Sequence, residues 1–236
     1  MIRTAAIAAA LLASAATGAS AAEQSFPVGN FDRIALGGSP EVTVTTGAAA
    51  SVRATGEQQA LDRLDIRVEA GVLRIGNKRG SGWNWSGGNR SQVRIAVTVP
   101  MVRGVEIGGS GSVAVDRVKV PAFVASVGGS GSMRIGALDT RDASFSIAGS
   151  GNVTVDGRCD TAKIDVAGSG RLRLGGFKCH TLSASIAGSG NIDATATQTA
   201  SVSVMGSGDA RIGGGAVCSV SKHGSGSVIC GTNSIS

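Results

Sequence analysis

From Gly109 onward seven Gly-Ser-Gly triplets recur, and their spacing constrains the fold more than any other feature. The serines are Ser110, Ser130, Ser150, Ser169, Ser189, Ser207 and Ser225, so successive steps are 20, 20, 19, 20, 18 and 18 residues. A self-similar period near 20 marks a solenoid, in which each turn of chain stacks on the one before. Around each triplet apolar and polar residues alternate, as in Phe145-Ser-Ile-Ala-Gly-Ser-Gly-Asn-Val-Thr-Val155. That is the period of a strand with one buried face. Both glycines fall on the inward parity and the serine points out. A glycine there lets the chain bend without driving a side chain into the core. Each turn therefore reads as strand, Gly-Ser-Gly corner, strand, and a looser return of about eight residues. The expected fold is all-β, a single-stranded parallel β-helix with turns of 18–20 residues. A β-sandwich of hairpins fits poorly, because hairpins reverse at two-residue turns and lose this parity through the corner.

The parity also orders the outer surface into columns. Two residues after each triplet serine stand Ser112, Ser132, Asn152, Arg171, Asn191, Asp209 and Ser227. Four residues after stand Ala114, Arg134, Thr154, Arg173, Asp193 and Arg211. The resulting face is small, polar and mildly basic, and Arg134, Arg171, Arg173 and Arg211 are candidate ligand contacts. A second candidate is the segment Lys78–Arg90, a Gly/Ser-rich stretch with basic residues and both tryptophans, Trp83 and Trp85. Exposed aromatic pairs stack on sugar rings, although the same tryptophans would also serve to cap a solenoid poor in large side chains.

Residues 1–22 read as a signal peptide: Arg3, an apolar run from Ala5 to Ala16, and small residues Ala19-Ser-Ala-Ala22 for cleavage. The apolar run is shorter than the ~20 residues a spanning helix needs, and no later segment reaches that length. Export to the periplasm or cell surface is expected. Residues 23–100 are strand-rich and read as an irregular, capping start of the solenoid, with Gly38-Ser-Pro40 a degenerate corner and Gln58–Leu64 a short helical turn. Residues 101–236 are the regular repeat. The chain carries 22 Lys+Arg against 16 Asp+Glu, a net +6 that falls to +5 without Arg3. Such an excess suits anionic polymers. Scattered basic residues and few aromatics argue against nucleic acid.

Four cysteines in an exported chain point to disulfides. Cys159 and Cys179 hold the same slot on successive turns, and Cys218 and Cys230 flank the last triplet, so Cys159–Cys179 with Cys218–Cys230 is the preferred of three pairings. Neither His180 nor His223 has ligand spacing to the cysteines, and no metal or cofactor is expected. A polysaccharide-cleaving enzyme is the alternative function: Asp116 and Asp156 occupy equivalent slots two turns apart, at ~9.6 Å. That is marginal for an inverting pair and too wide for a retaining one.

The entry segment Phe26-Pro-Val-Gly-Asn-Phe-Asp-Arg-Ile34 and the repeat Ile107-Gly-Gly-Ser-Gly-Ser-Val113, with its later copies, resemble the head GIN domain family. These are exported bacterial proteins described as auto-transporter adhesins, and the resemblance spans about 26–230. It implies a right-handed parallel β-helix and an exported location, and it carries no catalytic residues over. With no membrane β-barrel after the repeat, self-secretion is not expected. The functional expectation is a non-enzymatic protein that binds or organises cell-envelope material or another surface component, glycan above all. A purely structural or oligomerising module is the remaining alternative, its oligomeric state being open.

Overall fold

The computed structural model describes residues 22–78, 93–231 and 233–235. It is a nearly all-β solenoid of about six stacked parallel coils. The strands Ser132–Gly149, Asn152–Gly168, Arg171–Gly188 and Asn191–Gly206 each run from one corner to the next. Each pairs in parallel with its neighbour in the stack. The return of about eight residues is therefore not loose, as its broken alternation suggests, but continuous strand. Its irregularity survives as register shifts, between Ile135 and Leu138 and again between Leu174 and Lys178.

The inward residues form columns along the axis. One runs Leu36, Ile107, Val127, Ile147, Val166, Ile186, Val204, and another Val42, Val113, Met133, Val153, Leu172, Ile192, Ala210, Val228. All of these are buried. β-Branched residues dominate because they suit a pleated, packed face. Phe145 and Phe177 meet in the core, their rings edge-to-face at 5.7 Å, a favoured aromatic geometry.

The two glycines of each corner do different work. The first adopts φ between +117° and +128° at Gly109, Gly129, Gly149, Gly168, Gly188 and Gly206, a region closed to side-chain-bearing residues. The second lies outside that φ region and leaves a hole. A Cβ on Gly151 would stand 2.5 Å from Val127 Cγ1 of the preceding coil, and one on Gly131 2.7 Å from Ile107 Cγ2. The methyl of one coil thus occupies the space that the next coil's second glycine vacates. The serine between them donates its backbone N–H to the preceding coil's first glycine, as in Ser150 N to Gly129 O at 2.9 Å.

The N-terminal region joins this stack out of chain order. Arg33–Gly38 lies between Gly104–Gly109 and Val72–Asn77, parallel to both, and Glu41–Thr46 lies between Ser112–Val115 and Arg94–Val99. Gly38 stacks on Gly109, so Gly38-Ser-Pro40 is a corner. Beyond this, Ser51–Gly56 pairs antiparallel with Arg94–Val99, Ala22–Phe26 antiparallel with Ser51–Gly56, and Leu64–Glu69 antiparallel with Val72–Asn77. A one-turn helix, Gln58–Asp62, connects them, its Leu61 in the core. Among the described residues no helix is long and apolar enough to cross a membrane.

Candidate functional site

The outward columns inferred from parity are in register. Ser112, Ser132, Asn152, Arg171, Asn191 and Asp209 are successive partners, and beside them run Ala114, Arg134, Thr154, Arg173, Asp193 and Arg211. Alternation along the strands forces this. Met133, Val153, Leu172 and Ile192 turn into the core, so the residues flanking them must face out.

These residues line two shallow depressions. One, of about 490 Å³, has Arg134, Arg171, Arg173, Asn152, Thr154 and Glu41 among its walls. The other, of about 330 Å³, has Arg171, Arg173, Arg211, Asn191, Asp193 and Asp209. They adjoin along the solenoid axis, with Arg171 and Arg173 in the walls of both, and make up an arginine-lined trough. From the coil of Glu41 to that of Ser227 the trough crosses eight strands, roughly 34 Å at the usual strand spacing. The four arginines are exposed. Among the described residues none of their guanidiniums comes within ion-pair distance of a carboxylate, whereas Arg94 pairs with Glu41 at 3.5 Å and Arg158 with Asp139 at 2.6 Å. Unpaired guanidiniums keep their planar donor forks available for carboxylate, sulfate or phosphate.

Parity had selected the arginines, but not their shared trough or their acidic neighbours. Asp209 accepts hydrogen bonds from Ser227 N at 2.9 Å and Ser227 Oγ at 2.8 Å. The backbone N–H and then the hydroxyl of Ser227 hold its carboxyl below the usual range. It clasps the last coil. Asp193 lies between Arg173 and Arg211 in the column, and forms no ion pair with either. Trp83 and Trp85 lie outside the described residues, as does the expected leader apart from Ala22.

Both disulfides are present. Cys159 and Cys179 are register partners with Cα atoms 4.5 Å apart, and Cys218 joins Cys230 with Cα atoms 6.4 Å apart. Among the described residues no group of three or more His, Cys, Asp or Glu could hold a metal. The Asp116 carboxylate is occupied: its Oδ1 accepts from Thr46 N at 3.1 Å, Thr46 Oγ1 at 3.2 Å and Arg117 N at 2.6 Å. Asp116 thus ties a turn of one coil to the strand Glu41–Thr46. Gly136 stands between it and the coil of Asp156, its position marked by Asp116 O, 2.6 Å from where a Cβ would sit.

Stacked parallel coils of about 20 residues, with small polar and basic residues in register on the outer face, define a β-solenoid. The chain belongs to the family described as "Putative auto-transporter adhesin, head GIN domain", whose model matches residues 30–216. Among solved structures it is similar to a putative adhesin from Bacteroides fragilis, with TM-score 0.82 and 20% identity over 89% of this chain and 97% of that one. A putative lipid binding protein from Parabacteroides distasonis matches at TM-score 0.71 and 26% identity, over 89% and 96%. A putative adhesin from Parabacteroides merdae matches at TM-score 0.68 and 16% identity, over 89% and 95%. No curated protein matches the sequence.

Proposed function

We propose that this protein is exported and acts without catalysis, as an adhesin-like binder of anionic envelope or surface glycan held in the arginine trough. The observation that carries the reading is the alignment of Arg134, Arg171, Arg173 and Arg211, without ion pairs among the described residues, along two adjoining depressions. Membership of an adhesin family supports it. Each guanidinium offers a bidentate contact to an acidic sugar, while Asn152 and Asn191 beside them offer amide donors and acceptors to ring hydroxyls. Trp83 and Trp85 supply a second contact by stacking.

The test is retention of envelope polysaccharide by the exported chain and by two variants, Arg171→Ser/Arg173→Ser and Trp83→Ala/Trp85→Ala. Binding should fall at least tenfold in the arginine variant, with melting temperature unchanged because both side chains are exposed. Binding retained by the arginine variant and lost in the tryptophan variant would move the site to residues 79–92. Absence of binding by the unaltered chain would leave the structural-module reading in its place.

A further inference from the structure

Charge along the trough is patterned as well as positive. One of its columns reads Arg134, Thr154, Arg173, Asp193, Arg211, one residue per coil. Cations therefore recur every second coil, roughly 9.6 Å apart at the strand spacing of a sheet. In this column the position between the first two arginines is the neutral Thr154, and the position between the last two is Asp193. The trough runs along the axis, so a linear polymer lying in it crosses one coil after another. A disaccharide of an extended polysaccharide is about as long as two coils are thick.

Resting on the binding reading above, we infer that the trough is selective for linear acidic polysaccharides with one carboxylate per disaccharide, and that Asp193 is the residue that enforces this spacing. An anion at every second coil meets Arg134, Arg173 and Arg211 in turn. A polymer charged at every sugar must set one carboxylate against Thr154 and another against Asp193. The first gains nothing and the second is repelled. Placing a like charge against the unwanted ligand is a standard route to specificity. Asp193 suits this role because no ion pair neutralises it among the described residues, and its carboxylate lies over Gly175, whose Cβ position is 3.5 Å from Oδ2. Asp209, by contrast, is drawn toward Ser227 and contributes to closing the last coil.

Titration calorimetry of the exported chain with hyaluronan oligosaccharides, oligogalacturonates of matched length and inorganic polyphosphate tests this. Hyaluronan carries one carboxylate per disaccharide and galacturonate one per sugar. Hyaluronan should bind about two- to fivefold more tightly than either other polymer, the ratio that one exposed like-charge contact supports. Asp193→Asn should close most of that gap by strengthening oligogalacturonate, leaving hyaluronan within twofold. Arg173→Gln should weaken all binding, with both variants melting like the parent. Equal affinity of the parent for hyaluronan and oligogalacturonate, or an unchanged ratio in Asp193→Asn, overturns the spacing rule. Retention of envelope material through Arg171 and Arg173 without any such preference would sink this inference alone. Failure of envelope material and all three polymers to bind would remove the binding reading with it.

Discussion

Replacing the two glycines of one corner should have separable consequences, because one is required by backbone conformation and the other by a neighbour's methyl group. Gly149 has φ +125°, and a Cβ there would lie 2.6 Å from Gly129 O. Gly149→Ala therefore incurs backbone strain of ~1–3 kcal/mol and a clash with main chain that cannot rotate away, adding ~1–3 kcal/mol. A central value of about 4 kcal/mol corresponds to a fall in melting temperature of roughly 8–16 °C for a domain of this size. Gly151 has no positive φ, so Gly151→Ala incurs no left-handed backbone strain. Its Cβ meets Val127 Cγ1 at 2.5 Å and Gly131 O at 2.9 Å, and the overpacking costs about 1–3 kcal/mol.

The two cases diverge when Val127 is shortened. Val127→Ala alone leaves a small cavity and costs about 2 kcal/mol. Combined with Gly151→Ala, it clears the side-chain half of the clash, so the double variant should be less destabilised than the sum by roughly 1–2 kcal/mol. Combined with Gly149→Ala it clears nothing, and the two effects should add within about 0.5 kcal/mol. Thermal unfolding followed by circular dichroism on the parent, the single variants and both doubles gives the two coupling energies. Equal coupling in both cycles, or a Gly149→Ala protein melting within 2 °C of the parent, would refute the division of labour between the glycines.

Three further outcomes follow from the same coils. Cys159→Ala/Cys179→Ala removes a crosslink spanning 20 residues, worth about 3 kcal/mol in the chain-entropy account, and should lower the melting temperature of the non-reduced protein by roughly 6–12 °C. Stability should fall in acid, because Asp139 is held below its ordinary range first by the Arg158 hydrogen bond, Asp209 by the Ser227 backbone and Glu69 by Arg67. Depressed carboxyls contribute stability above their unfolded values near pH 4, and this is lost as pH drops through the lower folded values; Asp209→Asn should flatten that dependence in denaturant titrations between pH 5 and 2. Asp116→Ala removes the acceptor for Thr46 and should cost about 1–2 kcal/mol, whereas Asp156→Ala, with no hydrogen bond of its own among the described residues, should melt within 2 °C of the parent.

Much of this architecture is legible from period and parity alone. The corner positions, the outward columns with Arg134, Arg171, Arg173 and Arg211, and the Cys159 and Cys179 slot all follow from counting along a repeat whose alternation is strict. The returns escape because their alternation breaks: Gly136-Ala-Leu-Asp-Thr-Arg-Asp142 presents consecutive exposed positions at Gly136 and Ala137. Hydrogen bonding between coils holds that stretch extended, and no local pattern signals it. The stacking of Arg33–Thr46 between strands that come later in the chain is likewise invisible, since hydrophobic alternation does not encode strand order. The difference between the paired glycines depends on the preceding coil, which no single repeat contains.

The unequal coil lengths explain how a binding surface persists on such a repeat. Steps of 18, 19 and 20 residues between triplets would shear the outer columns if the differences fell on either strand flanking a corner. They fall in the returns instead. Register shifts lie between Thr154 and Gly157, between Leu174 and Lys178 and between Cys179 and Thr181, while pairing across each corner stays one-to-one, Ala167 with Ala187 before it and Arg171 with Asn191 after it. Gly157 marks one such adjustment, with φ +133° and main-chain atoms of Leu138 where a Cβ would be. The corner imposes this division: its first glycine and its serine N–H meet the preceding coil's carbonyl in only one register, so each coil re-aligns there whatever its length. Arg134, Arg173 and Arg211 sit five residues past the first glycine of their corners, and they inherit that alignment. A one-residue insertion in the return between Leu174 and Phe177 should thus leave polymer binding intact, whereas the same insertion between Gly170 and Arg173 turns Arg173 inward and should abolish it.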